Sequence, residues 1–411
     1  MKNKLLLLLA LTSLLGCKKS VSSSSNFNGT VVAYSPVAVT KSTTKRVFAH
    51  ILPWFETPQS NGSWGQHWTM NLGSTYPDTY VNGQRRIASY YNPLIGPYAS
   101  GDTAVIDYQL LLMKLSGIDG VFIDWPGTGT NTGQNLDLPL AKHNTDIIVS
   151  RLTKVGLKYA IVYEDNDLSA ITNKVPQGQA DMNYLKTNYF PDINYENASG
   201  HPVLLDFGPQ AITDTADWSA IFSVFLTKPS FFTLSGHSQI AGVSATGEFI
   251  WVYANAIANL TNFYSSGYTY SGNKMAAAFP GFNSYYAAGG GSGPGPLLSN
   301  TPAPTVATFK QTVDMALATN LTYLQLVTWN DYGEGTIIEP TTQFGYGYLT
   351  TLQQELGVST FAQSDLEAIA KLYTLRQANA GNSDNLKKLN QVFYYIASLQ
   401  MDNAKSLLAS F

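Results

Sequence analysis

Eight short apolar runs, each giving way to polar or aromatic residues, constrain this chain more than any other feature of its 411 residues. Residues 47–52 lead into Pro53, Trp54, Phe55 and Glu56, residues 120–123 into Asp124 and Trp125, and residues 158–162 into Tyr163, Glu164 and Asp165. Residues 203–205 precede Asp206, 231–234 precede His237, 249–252 end at Tyr253, 275–278 at Phe279, and 323–328 at Trp329. Runs this short and this apolar read as strands buried on both faces, the habit of a parallel sheet covered by helices.

Helical patterns separate the runs. The spacing predicts helices over 102–116, with Asp102 as N-cap and Gly117 as stop, and over 145–155, 182–190, 218–226, 255–265, 305–318 and 344–356. The connection over 238–247 is weak. Eight strands alternating with helices predict an α/β fold, a (β/α)8 TIM barrel, over the competing open doubly wound sheet. A barrel gathers its strand ends at one mouth, so residues distant in sequence meet there. Beyond it, SDLE at 364–367 reads as a capping box opening a helix to about Asn379, and GNS at 381–383 breaks it before a second helix through Leu399. The expected organisation is a barrel over 45–360 and a C-terminal helical hairpin over 361–411 packed on it; a partner-binding helical pair is the competing reading.

The N-terminal residues read as an export signal. Lys2 and Lys4 precede an apolar run over 5–15, then Gly16 and Cys17. LLGC resembles a bacterial lipobox, which makes Cys17 the lipidation site, 1–17 a signal peptide and 18–44 a flexible tether. The expected location is the bacterial cell envelope, outside the cytoplasm and held to a membrane by the lipid anchor alone. Cys17 is the only cysteine, so no intramolecular disulfide is expected. Charged residues make up 12% and the net charge is −3, which supplies no basic face for nucleic acid. A surface rich in Tyr, Asn, Ser, Thr and Gly suits neutral polar ligands instead.

The chemistry concentrates in YLQLVTWNDYGEGTIIEP at 323–340. Trp329, Asn330, Asp331, Glu334 and Glu339 crowd the end of a buried strand, and charges beside an apolar core need partners or a task. The plain alternative is a strand running into a solvated acidic turn. Two acids beside a flat ring are also what glycosidic cleavage uses, one to protonate the leaving oxygen and one as base or nucleophile. The long loop over 54–90 adds Trp64, His67 and Trp68, either a sugar-binding wall or a hydrophobic staple for the loop. Asp124 serves either loop amides or chemistry. The five histidines are scattered and the glycine-rich stretch at 288–296 lacks GK[ST], so neither a metal set nor a phosphate loop is present. No GxSxG elbow follows a strand. No cofactor is expected.

TWNDYGEGTIIEP resembles the WNEWxEGTxIEP segment of glycoside hydrolase family 71 and 99-like proteins, whose best known members are endo-acting α-mannosidases. PWFET with the later WGQHWT, NPLIGPYASGD at 92–102, GIDGVFIDW at 117–125 and AFPGFN at 278–283 extend the resemblance over about 45–356. It implies Asp331 as the base on a sugar 2-hydroxyl, Glu334 as the general acid, an anhydrosugar intermediate and net retention. It also implies a substrate cleft bordered by Trp125, Glu164 and Tyr253, joined in this reading by Trp54, Glu56, His67, Trp68, Trp329, Asn330 and Glu339. Asp331 stands where the family usually has Glu, and Gly333 where it usually has His. The implied activity is endo-hydrolysis of an α-linked mannan- or glucan-type polysaccharide or oligosaccharide. The alternatives are a non-catalytic surface glycan-binding lipoprotein on the same scaffold, and a glycosidase that uses Glu164 with Glu334 in ordinary double displacement.

Overall fold

The computed structural model describes residues 27–129, 138–270 and 272–411. The expected signal peptide, the lipobox Cys17 and the first part of the tether lie outside the described residues. Eight strands form one parallel ring: β1 Arg46–Ile51, β2 Gly120–Trp125, β3 Lys158–Tyr163, β4 His201–Asp206, β5 Ser230–Leu234, β6 Gly247–Phe249, β7 Asn273–Ala278 and β8 Tyr323–Leu326. Each pairs with the next, and β1 closes the ring on β8 with Phe48 opposite Gln325. The open-sheet alternative is thereby removed. The sixth strand lies two residues earlier than the sequence predicts, so residues 250–253 have already left it for the rim.

Inside the ring the two-residue alternation of each strand stacks rings on one another. Phe48 lies 4.7 Å from Phe122, and His50 lies 5.2 Å from Phe122 and 4.9 Å from Trp251. Gly120 opens β2 because a Cβ there would come within 2.4 Å of the Phe48 ring. A glycine is therefore what lets β1 fill the barrel floor.

Outside the ring run α1 Thr103–Leu115, α2 Leu138–Val155, α3 Lys174–Asn188, α4 Thr215–Phe222, the single turn α5 Ser238–Ala241, α6 Ala256–Tyr264, α7 Val306–Leu317 and α8 Gly347–Leu356. Asp102 caps α1 by accepting the Ala104 amide at 2.7 Å, and Thr305 caps α7 through the Thr308 amide at 3.0 Å. The weak fifth connection is the one that keeps only a turn of helix.

The expected C-terminal hairpin is present as α9 Gln363–Ala378 and α10 Ser383–Ala397, and a third helix, α11 Met401–Leu408, follows it. Ser364 is not the cap of α9; Asp365 accepts the Ala362 amide at 2.8 Å, two residues further back than the SDLE pattern implies. These helices cover α1, which is why nearly every α1 side chain is buried, polar ones included. Among the latter, Asp107 accepts from Arg151 of α2 at 2.6 Å and from Arg376 of α9 at 2.5 Å, joining three helices through one carboxylate.

The described part of the expected tether is a strap. Val32 donates to Gln391 of α10, Val37 to the Ala397 carbonyl and Ser42 to the Leu356 carbonyl. Lys41 pairs with Asp119 just ahead of β2, and Lys45 donates to the carbonyls of Thr319 and Leu321 just ahead of β8. Residues 32–45 are thus pinned across α10 and the barrel floor by their own backbone and lysines.

Candidate active site

The turn after β8 is built from its own side chains. The Thr328 hydroxyl accepts the Asp331 amide at 2.8 Å, and Asp331 Oδ1 accepts the Glu334 amide at 2.9 Å. One carboxylate therefore positions the other, as an Asx turn does. Gly335 follows at φ +69°, and a Cβ there would press to 2.7 Å from the Asn283 carbonyl. That close approach lets Asn283 and Tyr285 donate to the carbonyls of Glu334 and Gly333 at 2.9 and 2.8 Å, tying the turn to the segment after β7.

Asp331 and Glu334 face one hollow of about 240 Å³ at the strand ends. Trp54, Trp251, Phe207 and Tyr286 supply aromatic surface there, while Asp124, Glu164 and Asp167 bring three more acids from the ends of β2 and β3. A neighbouring hollow of about 270 Å³ shares Trp54, Tyr286 and Asp331 and continues to His67, Met70 and Gly333. The two form one groove bent around Asp331.

Burial raises every acid in this groove above its ordinary range. Asp331 is pushed up to about 6, held back by the backbone amides of Glu334 and Gly333. Glu334 is pushed up to about 8 by burial and by the neighbouring Asp331 charge, against a weak hydrogen bond from Trp251 Nε1 to Oε2 at 3.4 Å. Asp124 rises to about 7 by burial, with Glu164 donating to it, and Glu164 rises well beyond its usual value through burial and the charge of Asp124. His50 falls to about 4 through burial and is neutral; its Nε2 lies 2.7 Å from Gln325 Oε1. Tyr253 is pushed up to about 12 by burial and by Glu334, which it faces from the rim. Among the described residues no group of His, Cys, Asp and Glu is arranged to hold a metal ion.

Several residues expected at the groove are elsewhere. Trp125 is not one of them: it lines the hollow, with its indole fully buried and stacked on Tyr184 of α3 at 5.8 Å. Trp68 is fully buried under the first loop, donating to the Tyr98 carbonyl at 2.8 Å and packing on Phe55 and Tyr332. Glu56 accepts from Asn144 at 2.7 Å and Ser60 at 2.5 Å, and so fastens that loop to α2. Asn330 pairs with both backbone groups of Leu52, its amide mimicking a strand neighbour. Glu339 is buried behind the turn and accepts from Gln109, Tyr98 and Tyr332 at 2.8–2.9 Å. Trp329 is fully buried, and its amide donates to the His50 carbonyl at 2.7 Å.

His67 stacks on Trp54 with ring centroids 4.1 Å apart and 7° between planes. Burial drives its pKa down to about 3, so it is neutral. The staple and the wall are here the same object, since the ring pair both closes the loop and lines the groove. The sequence reading passed over Trp251, Tyr286 and Asp167. For Trp251 a signal existed: it stands two residues after Phe249, on the inward parity.

No protein-family model matches the chain. Over 137 residues it is 26% identical to the glycoprotein endo-α-1,2-mannosidase of Xenopus laevis, a match covering 30% of this chain and 29% of the relative. The chain thus spans less than a third of the length of the curated relative it matches. Among solved structures, the GH99 endo-α-mannosidase of Bacteroides thetaiotaomicron superposes with a TM-score of 0.58 at 14% identity, over 77% of this chain and 99% of that one. Its complex with bis-tris propane gives 0.57 over 80% and 98%. The chain is GH99-like in fold. A third structure, described as a glycoside hydrolase-like protein, gives 0.54 over 78% and 97% of the two chains. The GH99-like framework accounts for the closed ring and for a groove at its strand ends.

Proposed function

We propose that the protein is a glycoside hydrolase that cleaves α-linked glycans within the chain, with net retention, Glu334 as general acid and Asp331 as base. The observation that carries this reading is the order of the two acids in one hollow: Glu334 is pushed up to about 8 and Asp331 only to about 6. Near neutral pH the first keeps its proton and the second has lost its own, the division of labour that acid–base cleavage requires. Asp331 Oδ1 is engaged by the Glu334 amide, so Oδ2 is the oxygen assigned to the sugar 2-hydroxyl. The groove bent around Asp331 suits a substrate longer than one sugar, and Trp54 and Trp251 offer ring faces for stacking.

The similarity to endo-α-mannosidases supports a mannan- or glucan-type substrate, and the N-terminal sequence supports a lipid-anchored envelope protein. Glu334→Gln tests the assignment: it should lose hydrolysis by about 10²–10⁴-fold with glycan binding retained. Wild-type turnover in that variant would refute it. A reducing-end assay that finds binding and no new ends in the unaltered protein would favour the glycan-binding reading instead. The Glu164 double displacement is disfavoured, since burial and the neighbouring Asp124 raise the Glu164 pKa well above its usual value, against the charged form a nucleophile needs.

A further inference from the structure

At the closed end of the barrel, where the strands begin, three aliphatic side chains stand out in water. Ile193 and Val243 are 83% and 80% exposed and Leu226 is fully exposed, whereas the next large apolar residue among those described, Tyr80, reaches 58%. The three are not scattered. Each sits in the connection leading into one of three successive strands, Ile193 before β4, Leu226 before β5 and Val243 before β6, and parallel strands bring those connections to one face. Single apolar residues on a surface are ordinary; a row of bare tips on one face asks for an occupant.

Cations border the same tips. Lys158 donates to the Ile193 carbonyl at 2.7 Å, Lys186 donates to the Val224 carbonyl at 2.8 Å, and Lys228 is exposed two residues past Leu226. Beside them, under β1–β3, a hollow of about 260 Å³ is lined by Lys41, Lys45, Arg46, Lys114 and Lys158, with Asp119 as its one acid. Asp119 is already engaged by Lys41 and by the Val47 amide. Lys45, Lys114 and Lys158 donate to carbonyl oxygens, which satisfy a donor and leave its charge. Arg46 pairs with Glu196 through Nη2 and keeps a buried Nε without a partner. Asp192, on the same face, accepts from Tyr159. Burial lowers Lys114 only to about 8, so it is a cation at neutral pH. A chain of net charge −3 thus gathers positive charge at one end.

Aliphatic tips flanked by lysines suit a lipid interface, where the tips reach the acyl boundary and the ammonium groups stay among the phosphates. The strap over residues 32–45 crosses this floor and supplies two of the hollow's lysines, Lys41 and Lys45. We propose that the closed end of the barrel docks on an anionic phospholipid surface, with Ile193, Leu226 and Val243 entering the interface and the cationic hollow receiving a headgroup phosphate. The groove, at the opposite end, then opens away from the membrane. The inference rests on neither the glycosidase reading nor a lipid on Cys17.

The test uses the full chain with Cys17→Ser, which carries no lipid and no other cysteine. Co-sedimentation with phosphatidylcholine vesicles, with and without phosphatidylglycerol, should show binding about tenfold tighter or more to the anionic ones, weakening with salt. Replacing Ile193, Leu226 and Val243 together by Ser should lower that binding about tenfold or more. Lys158→Gln with Lys228→Gln should lower it about as much and flatten the salt dependence. All these chains share the apolar run over 5–15, so the differences read the face. Orientation gives a second reading: a fluorophore on Leu226→Cys should be quenched by nitroxide lipids, and one on Leu297→Cys, after β7 at the groove end, should not. Equal binding to both vesicle types, an undiminished triple serine variant, or equal quenching at the two positions overturns the inference. So does tight calorimetric binding of inorganic phosphate by a chain that ignores anionic vesicles, which makes a free anion the ligand. Self-association lost in the triple variant, with no vesicle binding, overturns it in favour of a second copy.

Discussion

The Trp251 indole donates to Glu334 Oε2 over 3.4 Å and so favours the charged form of that acid. Trp251→Phe removes the donor and keeps a ring, which should raise the Glu334 pKa. Activity requires Asp331 ionised and Glu334 protonated, so kcat/KM should rise through about pH 6 and fall through about pH 8. In the Phe variant the alkaline limb should move upward with the acid limb in place. A downward shift in the pH–rate profile would contradict the hydrogen bond's role. Asn330 lies on the same segment but has a different function, since its amide closes both backbone groups of Leu52. Asn330→Ala should cost about 1–3 kcal/mol in urea unfolding and leave KM within a factor of about two.

The strands were legible wherever an apolar run ended on a charged or aromatic residue, because burial and the strand end leave the same mark on the sequence. The short Gly247–Phe249 strand was misplaced for lack of that mark: the apolar run continues past it into Ile250, Trp251 and Val252, which are buried without being strand. The acids Asp331 and Glu334 were legible because their spacing fits one turn. Face was not legible, and that is where Trp68, Glu56, Trp329, Asn330 and Glu339 were assigned to the groove. A loop residue's side depends on which small core it joins, and the first loop has its own, with Phe55, Trp64, Trp68, Tyr98, Tyr332 and Ile337. Trp68→Ala should therefore destabilise the protein by about 3–5 kcal/mol, measured by urea unfolding, through a cavity under the rim. An unchanged unfolding midpoint with weakened glycan binding would return Trp68 to the groove.

The molecule carries more buried acid than buried base. Asp124, Glu164, Asp167, Asp206, Asp331, Glu334 and Glu339 all have pKa values raised chiefly by burial. A group whose folded pKa lies above its unfolded one contributes stability below the unfolded value and loses it as pH climbs through the folded value. The window here runs from the ordinary carboxyl range near 4 to about 8. The melting temperature should be higher at pH 5 than at pH 8, and the reverse order in calorimetric scans would mean that these acids are compensated. At the Asp107 junction the buried charge has two guanidinium partners. Asp107→Ala strands both and should cost about 3–5 kcal/mol in urea unfolding.

The strap over residues 32–45 takes hold of α10 and the barrel floor, and none of its hydrogen bonds reaches the groove at the opposite end. Load applied through the upstream chain is therefore carried by the closed end of the cylinder, and the lip where long chains would thread stays unburdened. Immobilised on beads by that terminus, the protein should work on a polymer as fast as it does free in solution.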